Sequence, residues 1–265
     1  MPHVDAGGLR VHYALQGPEH APVLLLVHSL GTGLALWQPQ IASFERWFRV
    51  LRYDARGHGD TGVTPGPYSI DQLGRDAVAL LDALEIGHAH VCGISMGGLV
   101  AMWLAIHRPE RIDRLVLSNT LGAIGRRDGW NQRIDAALDG TGGMARIAKS
   151  VALGSFTRDF GKARPTAVSG IREMIATTAP NGYAACCAAL RDADQRDSLS
   201  QITAPTLVIG GRHDETTPAC DSRWTARQIV DSRYLELEAA HLSNIEADAS
   251  FTPAVLEFLD SAQNG

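Results

Sequence analysis

Apolar residues in this chain follow two rhythms. Short, nearly continuous runs rich in leucine and β-branched residues recur at 9–14, 23–28, 49–53, 90–94, 114–117, 206–209 and 234–237. Runs of that length with little alternation suit strands covered on both faces. Between most of them apolar positions return every three or four residues, the interval that keeps them on one side of a helix, at 70–84, 99–107, 218–230 and 252–262. Strands alternating with helices predict an α/β fold, with a mostly parallel central sheet flanked by helices.

The alternation lapses between about 122 and 190. Strand runs vanish there, and Ala-, Arg- and Gly-rich sequence carries helical spacing at 130–138, 144–151, 166–177 and 182–190. The stretch 122–190 reads as a helical cap inserted into one core, whose two parts are 1–121 and 191–265. It leaves the core after the run ending at Ser118 and hands back after Pro205. That places it over the carboxyl ends of the strands, where such sheets hold ligands.

With 265 residues, 45% of them apolar, the chain is long enough to bury one substantial core. A net charge of −5 and the lack of any basic run argue against nucleic-acid and membrane-surface partners. The opening residues lack the basic, apolar and small-residue order of a secretory signal, and the apolar run at 23–27 is far too short to span a bilayer. A cytoplasmic location is expected. Cys92, Cys186, Cys187 and Cys220 show no Cys-x-x-Cys spacing, so they are expected to be reduced packing residues rather than disulfide or zinc partners. The 10 histidines include no helical pair beside a glutamate, and no metal is expected. His28, His58, His88, His90 and His107 read as loop or packing residues.

One serine stands out. In Gly93-Ile94-Ser95-Met96-Gly97-Gly98, Ser95 lies between two glycines where a strand run ends and a helical run (Leu99, Met102, Trp103, Ile106) begins. A sharp strand-to-helix turn exposes the hydroxyl and leaves no room for side chains on either flank. Such a serine needs an imidazole to take its proton and a carboxylate to orient the imidazole. Asp214 follows the run 206–209, and His241 follows the run 234–237. The order Ser95, Asp214, His241 is the one this chemistry takes on an α/β-hydrolase sheet. Glu215 remains open as the acid and His213 as the base, each being adjacent to Asp214. The tetrahedral intermediate also needs two N–H donors. Met96 follows the nucleophile, and Leu30 lies on the glycine-containing loop His28-Ser29-Leu30-Gly31-Thr32-Gly33. A dinucleotide fingerprint fails on that loop, because Leu36 occupies the third glycine position.

His28-Ser29-Leu30-Gly31, Asp54-Ala55-Arg56-Gly57-His58-Gly59, the Ser95 segment and the Asp214 and His241 loops resemble the α/β-hydrolase superfamily over nearly the whole chain. Ser29 departs from the glycine many relatives carry there. A serine at position 95 separates the chain from branches whose nucleophile is aspartate, the dehalogenases and epoxide hydrolases. Leu117-Ser118-Asn119-Thr120, Trp130-Asn131-Gln132-Arg133-Ile134, the stretch 182–194 and Ala239-Ala240-His241-Leu242-Ser243-Asn244-Ile245-Glu246 are similar to the 3-oxoadipate enol-lactonases of aromatic catabolism.

That resemblance implies an acyl-serine route without metal or organic cofactor, acting on a small anionic lactone. It points to Arg133 as the cation for the substrate carboxylate, against Arg126, Arg127, Arg146 and Arg158, and to Trp130 as an apolar wall. A carboxylesterase, a carbon–carbon hydrolase of the same fold and a non-catalytic binding protein are the competing readings.

Overall fold

The computed structural model describes residues 2–260. Among these described residues eight strands form one sheet: β1 (His3–Ala6), β2 (Leu9–Gln16), β3 (Val23–Val27), β4 (Arg49–Tyr53), β5 (Ala89–Ile94), β6 (Ile112–Ser118), β7 (Thr206–Gly211) and β8 (Ser232–Leu237). Their spatial order is β1-β2-β4-β3-β5-β6-β7-β8, with β1/β2 and β2/β4 antiparallel and every other pair parallel. The expected α/β class is therefore borne out. Leu24, Leu25 and Leu26 of β3 are wholly buried, which explains the unbroken apolar run; each contributes roughly 1.5–3 kcal/mol of burial.

Helices α1 (Gln38–Phe44), α2 (Ile70–Ala83) and α3 (Met96–His107) precede β6 or connect the strands before it, and α9 (Ala219–Gln228), α10 (Ser243–Glu246) and α11 (Asp248–Asp260) follow β7. α3 is buried along nearly its whole length against β5, β6 and α2, so its apolar residues are not confined to one stripe. Between β6 and β7 lie α4 (Arg127–Leu138), α5 (Gly143–Gly154), α6 (Arg158–Ala163), α7 (Pro165–Thr177) and α8 (Pro180–Asp192), with α4 packed on α8 and α5 on α7.

Several boundaries differ from the pattern. β1 pairs His3 with His12 through a half-polar, four-residue strand that has no apolar run to announce it. β7 extends through Gly210 and Gly211 because pairing with Glu236 and Leu237 continues there. α9 stops at Gln228, leaving Val230 86% exposed. α11 starts at Asp248 and carries Pro253 in its interior, where a helix starting near Thr252 would have had it in the first turn. The final two positions of the run 252–262 lie outside the described residues. Cys92, Cys186 and Cys187 are buried, as expected of packing residues, whereas Cys220 is exposed and fills no core.

Candidate active site

β5 and α3 meet at Ser95, whose φ of 55° and ψ of −119° are strained for a residue with a side chain. The strain is imposed by close packing. A Cβ on Gly93 would stand 2.2 Å from the Gly97 carbonyl oxygen, and one on Gly97 would stand 2.1 Å from that of Val27. The Ser95 hydroxyl lies 2.9 Å from His241 Nε2, and His241 Nδ1 lies 2.9 Å from Asp214 Oδ2. A carboxylate at Nδ1 selects the tautomer protonated there, which leaves Nε2 to accept from Ser95. The structure thus brings together three residues that are far apart in the chain, 146 positions separating the serine from the histidine.

Asp214 is 5% exposed. Burial alone would raise its pKa, but the His241 ring and hydrogen bonds from His241 and Thr217 outweigh that and lower it to about 2. Its Oδ1 accepts from the Thr216 and Thr217 N–H groups at 2.8 and 2.9 Å, and its Oδ2 accepts from the Thr217 hydroxyl. Glu215 instead faces a neighbouring surface groove, and His213 pairs with Glu238. Neither alternative reaches the serine. The two loops approach closely because Gly211 lacks a Cβ, which would meet the Ala240 carbonyl oxygen at 2.3 Å.

Among the described residues, neither the Leu30 N–H nor the Met96 N–H donates to a protein acceptor. Both residues border the site, Leu30 in the cavity wall and Met96 at the first position of α3. The Leu30 loop is pinned by two buried rings. His28 Nδ1 donates to the Ser29 carbonyl while its Nε2 accepts from Ala55 N–H at 2.9 Å, and His58 Nε2 accepts from Gly31 N–H at 2.8 Å. Those acceptor roles require neutral rings, and burial supplies them: desolvation lowers His28 and brings His58 to about 3. The expectation of loop and packing roles also holds elsewhere. His107 stacks on Trp103, and His90 is buried against Phe48, while His88 pairs at the surface with Asp113.

Ser95 and His241 open onto a cavity of about 210 Å³, roofed by side chains from α4, α5, α7 and α8. Trp130 lines it, with its indole N–H donated to the Ile124 carbonyl at 2.6 Å. The Arg133 guanidinium lies 5.2 Å from the Trp130 ring centre and beside the Tyr183 phenol. Among the described residues, Arg133 is the only Lys or Arg in the cavity wall. Arg127 pairs with Asp192 and Arg146 with Asp139, Arg126 is exposed, and Arg158 lines a separate groove.

Residues 22–248 match the family model described as the alpha/beta hydrolase fold. The chain belongs to the α/β-hydrolase family. Within that family it is 43% identical to 3-oxoadipate enol-lactonase 2 of Acinetobacter baylyi, over 95% of this chain and 94% of the relative. It is 36% identical to 3-oxoadipate enol-lactonase 1 of the same organism, over 97% and 95%. A crystal structure of the enol-lactonase from Burkholderia xenovorans superposes with a TM-score of 0.95 at 41% identity, covering 98% of this chain and all of that one.

Within this α/β-hydrolase fold, sequence reasoning missed the groups that hold Asp214 and the His241 loop. Thr216 and Thr217 follow Asp214 at the two- and three-residue offsets at which an aspartate side chain caps its own turn, a signal that was present. Glu246 accepts from the Ala240 N–H at 2.9 Å and from Thr157, tying the His241 loop to the start of α6. Nothing local in the sequence announces that tie.

Proposed function

We propose that the chain is a serine hydrolase that opens 3-oxoadipate enol-lactone to 3-oxoadipate through an acyl-serine intermediate. The observation that carries this reading is the hydrogen-bonded line Ser95–His241–Asp214 opening into a small cavity with Arg133 in its wall. A lactone bearing a free carboxylate needs both features, a nucleophile for the ester carbonyl and a cation for the anion. The names of the two Acinetobacter relatives and of the Burkholderia structure support the same substrate.

Ser95 Oγ attacks the lactone carbonyl carbon as its proton passes to His241 Nε2. The developing oxyanion is received by the Leu30 and Met96 N–H groups. Collapse of the adduct breaks the ring carbon–oxygen bond, and His241 returns its proton to the departing enol oxygen. An enolate leaves readily, and the freed enol then tautomerises to a ketone, which opposes reclosure. Water attacks the acyl carbon while His241 Nε2 takes its proton. The second adduct expels Ser95 Oγ, which recovers the proton from His241, and 3-oxoadipate departs. Asp214 stays ionised throughout and stabilises the imidazolium. Arg133 holds the substrate carboxylate, Trp130 forms the apolar wall, and α4 to α8 act as the cap that excludes bulk water.

The test is turnover of purified protein on the enol-lactone, followed by loss of ultraviolet absorbance, beside 4-nitrophenyl acetate and a meta-cleavage dienoate. The lactone is expected to react fastest, with Ser95→Ala lowering turnover about 10⁶-fold. Faster hydrolysis of the ester or the dienoate would reassign the substrate, and full activity in Ser95→Ala would remove the nucleophile.

A further inference from the structure

The three residues that end β6 and leave it touch Ser95, Asp214 and the residue preceding His241. Ser95 N–H donates to the Ser118 carbonyl at 3.1 Å, and Thr120 Oγ1 donates to the Ser95 carbonyl at 2.8 Å, so the nucleophile's backbone is held from both sides. Between them Asn119 is fully buried with a φ of 46°, a left-handed conformation that costs a non-glycine residue roughly 1 kcal/mol. Its amide nitrogen donates to Asp214 Oδ2 at 3.0 Å and to the Ala240 carbonyl at 3.1 Å. Its amide oxygen accepts from the Ser118 hydroxyl at 2.8 Å and from the Ser243 hydroxyl. All four hydrogen-bonding capacities are used. A flipped amide would set its oxygen against a carboxylate and a carbonyl, so the orientation is fixed.

We propose that Asn119 is a positioning residue for hydrolysis, acting through Asp214 and the His241 loop. This rests on the reading of Ser95, His241 and Asp214 as the triad. The amide contacts the same carboxylate oxygen that faces His241 Nδ1, and its second hydrogen bond holds the residue preceding His241. A donor on that oxygen fixes where the carboxylate points and draws off part of its charge, which limits how strongly it retains a proton on the imidazole. The remaining ionisable neighbours are otherwise engaged: His213 with Glu238, and Glu246 with Ala240 N–H and Thr157. The other groups on Asp214 are Thr217, the Thr216 N–H and His241 itself.

Asn119→Gly isolates the amide, because glycine accepts the left-handed backbone without strain. Hydrolysis of 4-nitrophenyl acetate is the readout, so the result does not depend on which lactone is the natural substrate. The expected outcome is a fall in kcat of about 10- to 100-fold, well short of the ~10⁴ lost when a triad aspartate becomes asparagine, with KM little changed. The acid limb of the pH profile of kcat/KM should move up by about half a unit, because the carboxylate then holds the imidazolium more tightly. Ser243→Ala, which removes one hydroxyl from the amide oxygen, should move the limb the same way by less, and it decides the matter if the glycine variant does not fold. A limb at its wild-type position in the variant that folds would overturn the proposal whatever the loss in rate, since weakened folding alone lowers rate without moving the limb. Ester hydrolysis surviving in Ser95→Ala would mark the failure of the triad reading itself.

Discussion

Arg133 has the Trp130 ring and the Tyr183 phenol for cavity neighbours, and neither is an anion. A guanidinium so placed is available to a ligand carboxylate, and a charge-assisted hydrogen bond of that kind is worth about 1.5–3 kcal/mol. Arg133→Ala should therefore raise KM for the anionic lactone by about 10- to 100-fold while leaving KM for neutral 4-nitrophenyl acetate nearly unchanged. Equal rises for both substrates would show that the arginine serves packing alone. At this scale the hydrogen-bonded set Ser95, His241 and Asp214 was legible because each member sits in a short segment whose chemistry stands out: a serine between glycines, then an acid and a histidine on loops after strand runs. Asn119 was visible only as part of a resemblance, since its role is a contact with a residue 95 positions further on.

Among the helices, glycine has opposite meanings at different places. Alanine normally stabilises a helix by up to about 1 kcal/mol over glycine. At Gly97 the gain is overwhelmed, because the added carbon meets the Val27 and His28 carbonyl oxygens at 2.1 and 2.7 Å, and backbone cannot step aside. Gly97→Ala should cost about 2–3 kcal/mol or more in urea unfolding. Gly170→Ala in α7, where a Cβ has nothing within 4 Å, should be neutral or stabilising. Equal midpoints for the two variants would refute the close-approach account of the turn. The long helix α2 was readable from its apolar period, and β4, though only five residues, from its unbroken run. β1, α1, α6 and α10 were not, being short segments whose stability comes from partners elsewhere in the chain.

Across the whole molecule, acid should undo the fold through its neutral histidines. His28 and His58 have folded-state values below the unfolded 6.5, so the stability they lend is complete above that pH. As pH falls, the unfolded chain takes up protons that the folded rings refuse, until about 3 for His58. Between pH 6.5 and 5 the loss from the His58 ring is roughly 2 kcal/mol, at about 1.4 kcal/mol per unit. Asp214, lowered to about 2, adds a further loss below the usual carboxylate range. Urea midpoints at pH 7 and pH 5 measure this directly, and equal midpoints would mean that the rings are charged in the native state. The strand order that creates these burials was not legible, because nothing in the local pattern says that β4 lies between β2 and β3.

The roofed chamber of about 210 Å³ is smaller than the roughly 300–1,000 Å³ of sites that take drug-sized ligands. A chamber of that size should act as a sieve by length. Along a series of 4-nitrophenyl acetate, butyrate, hexanoate and octanoate, hydrolysis should fall steeply once the fatty tail outgrows the space beneath the helices. A flat series would mean that the roof lifts away and that size plays no part in choosing what is cleaved.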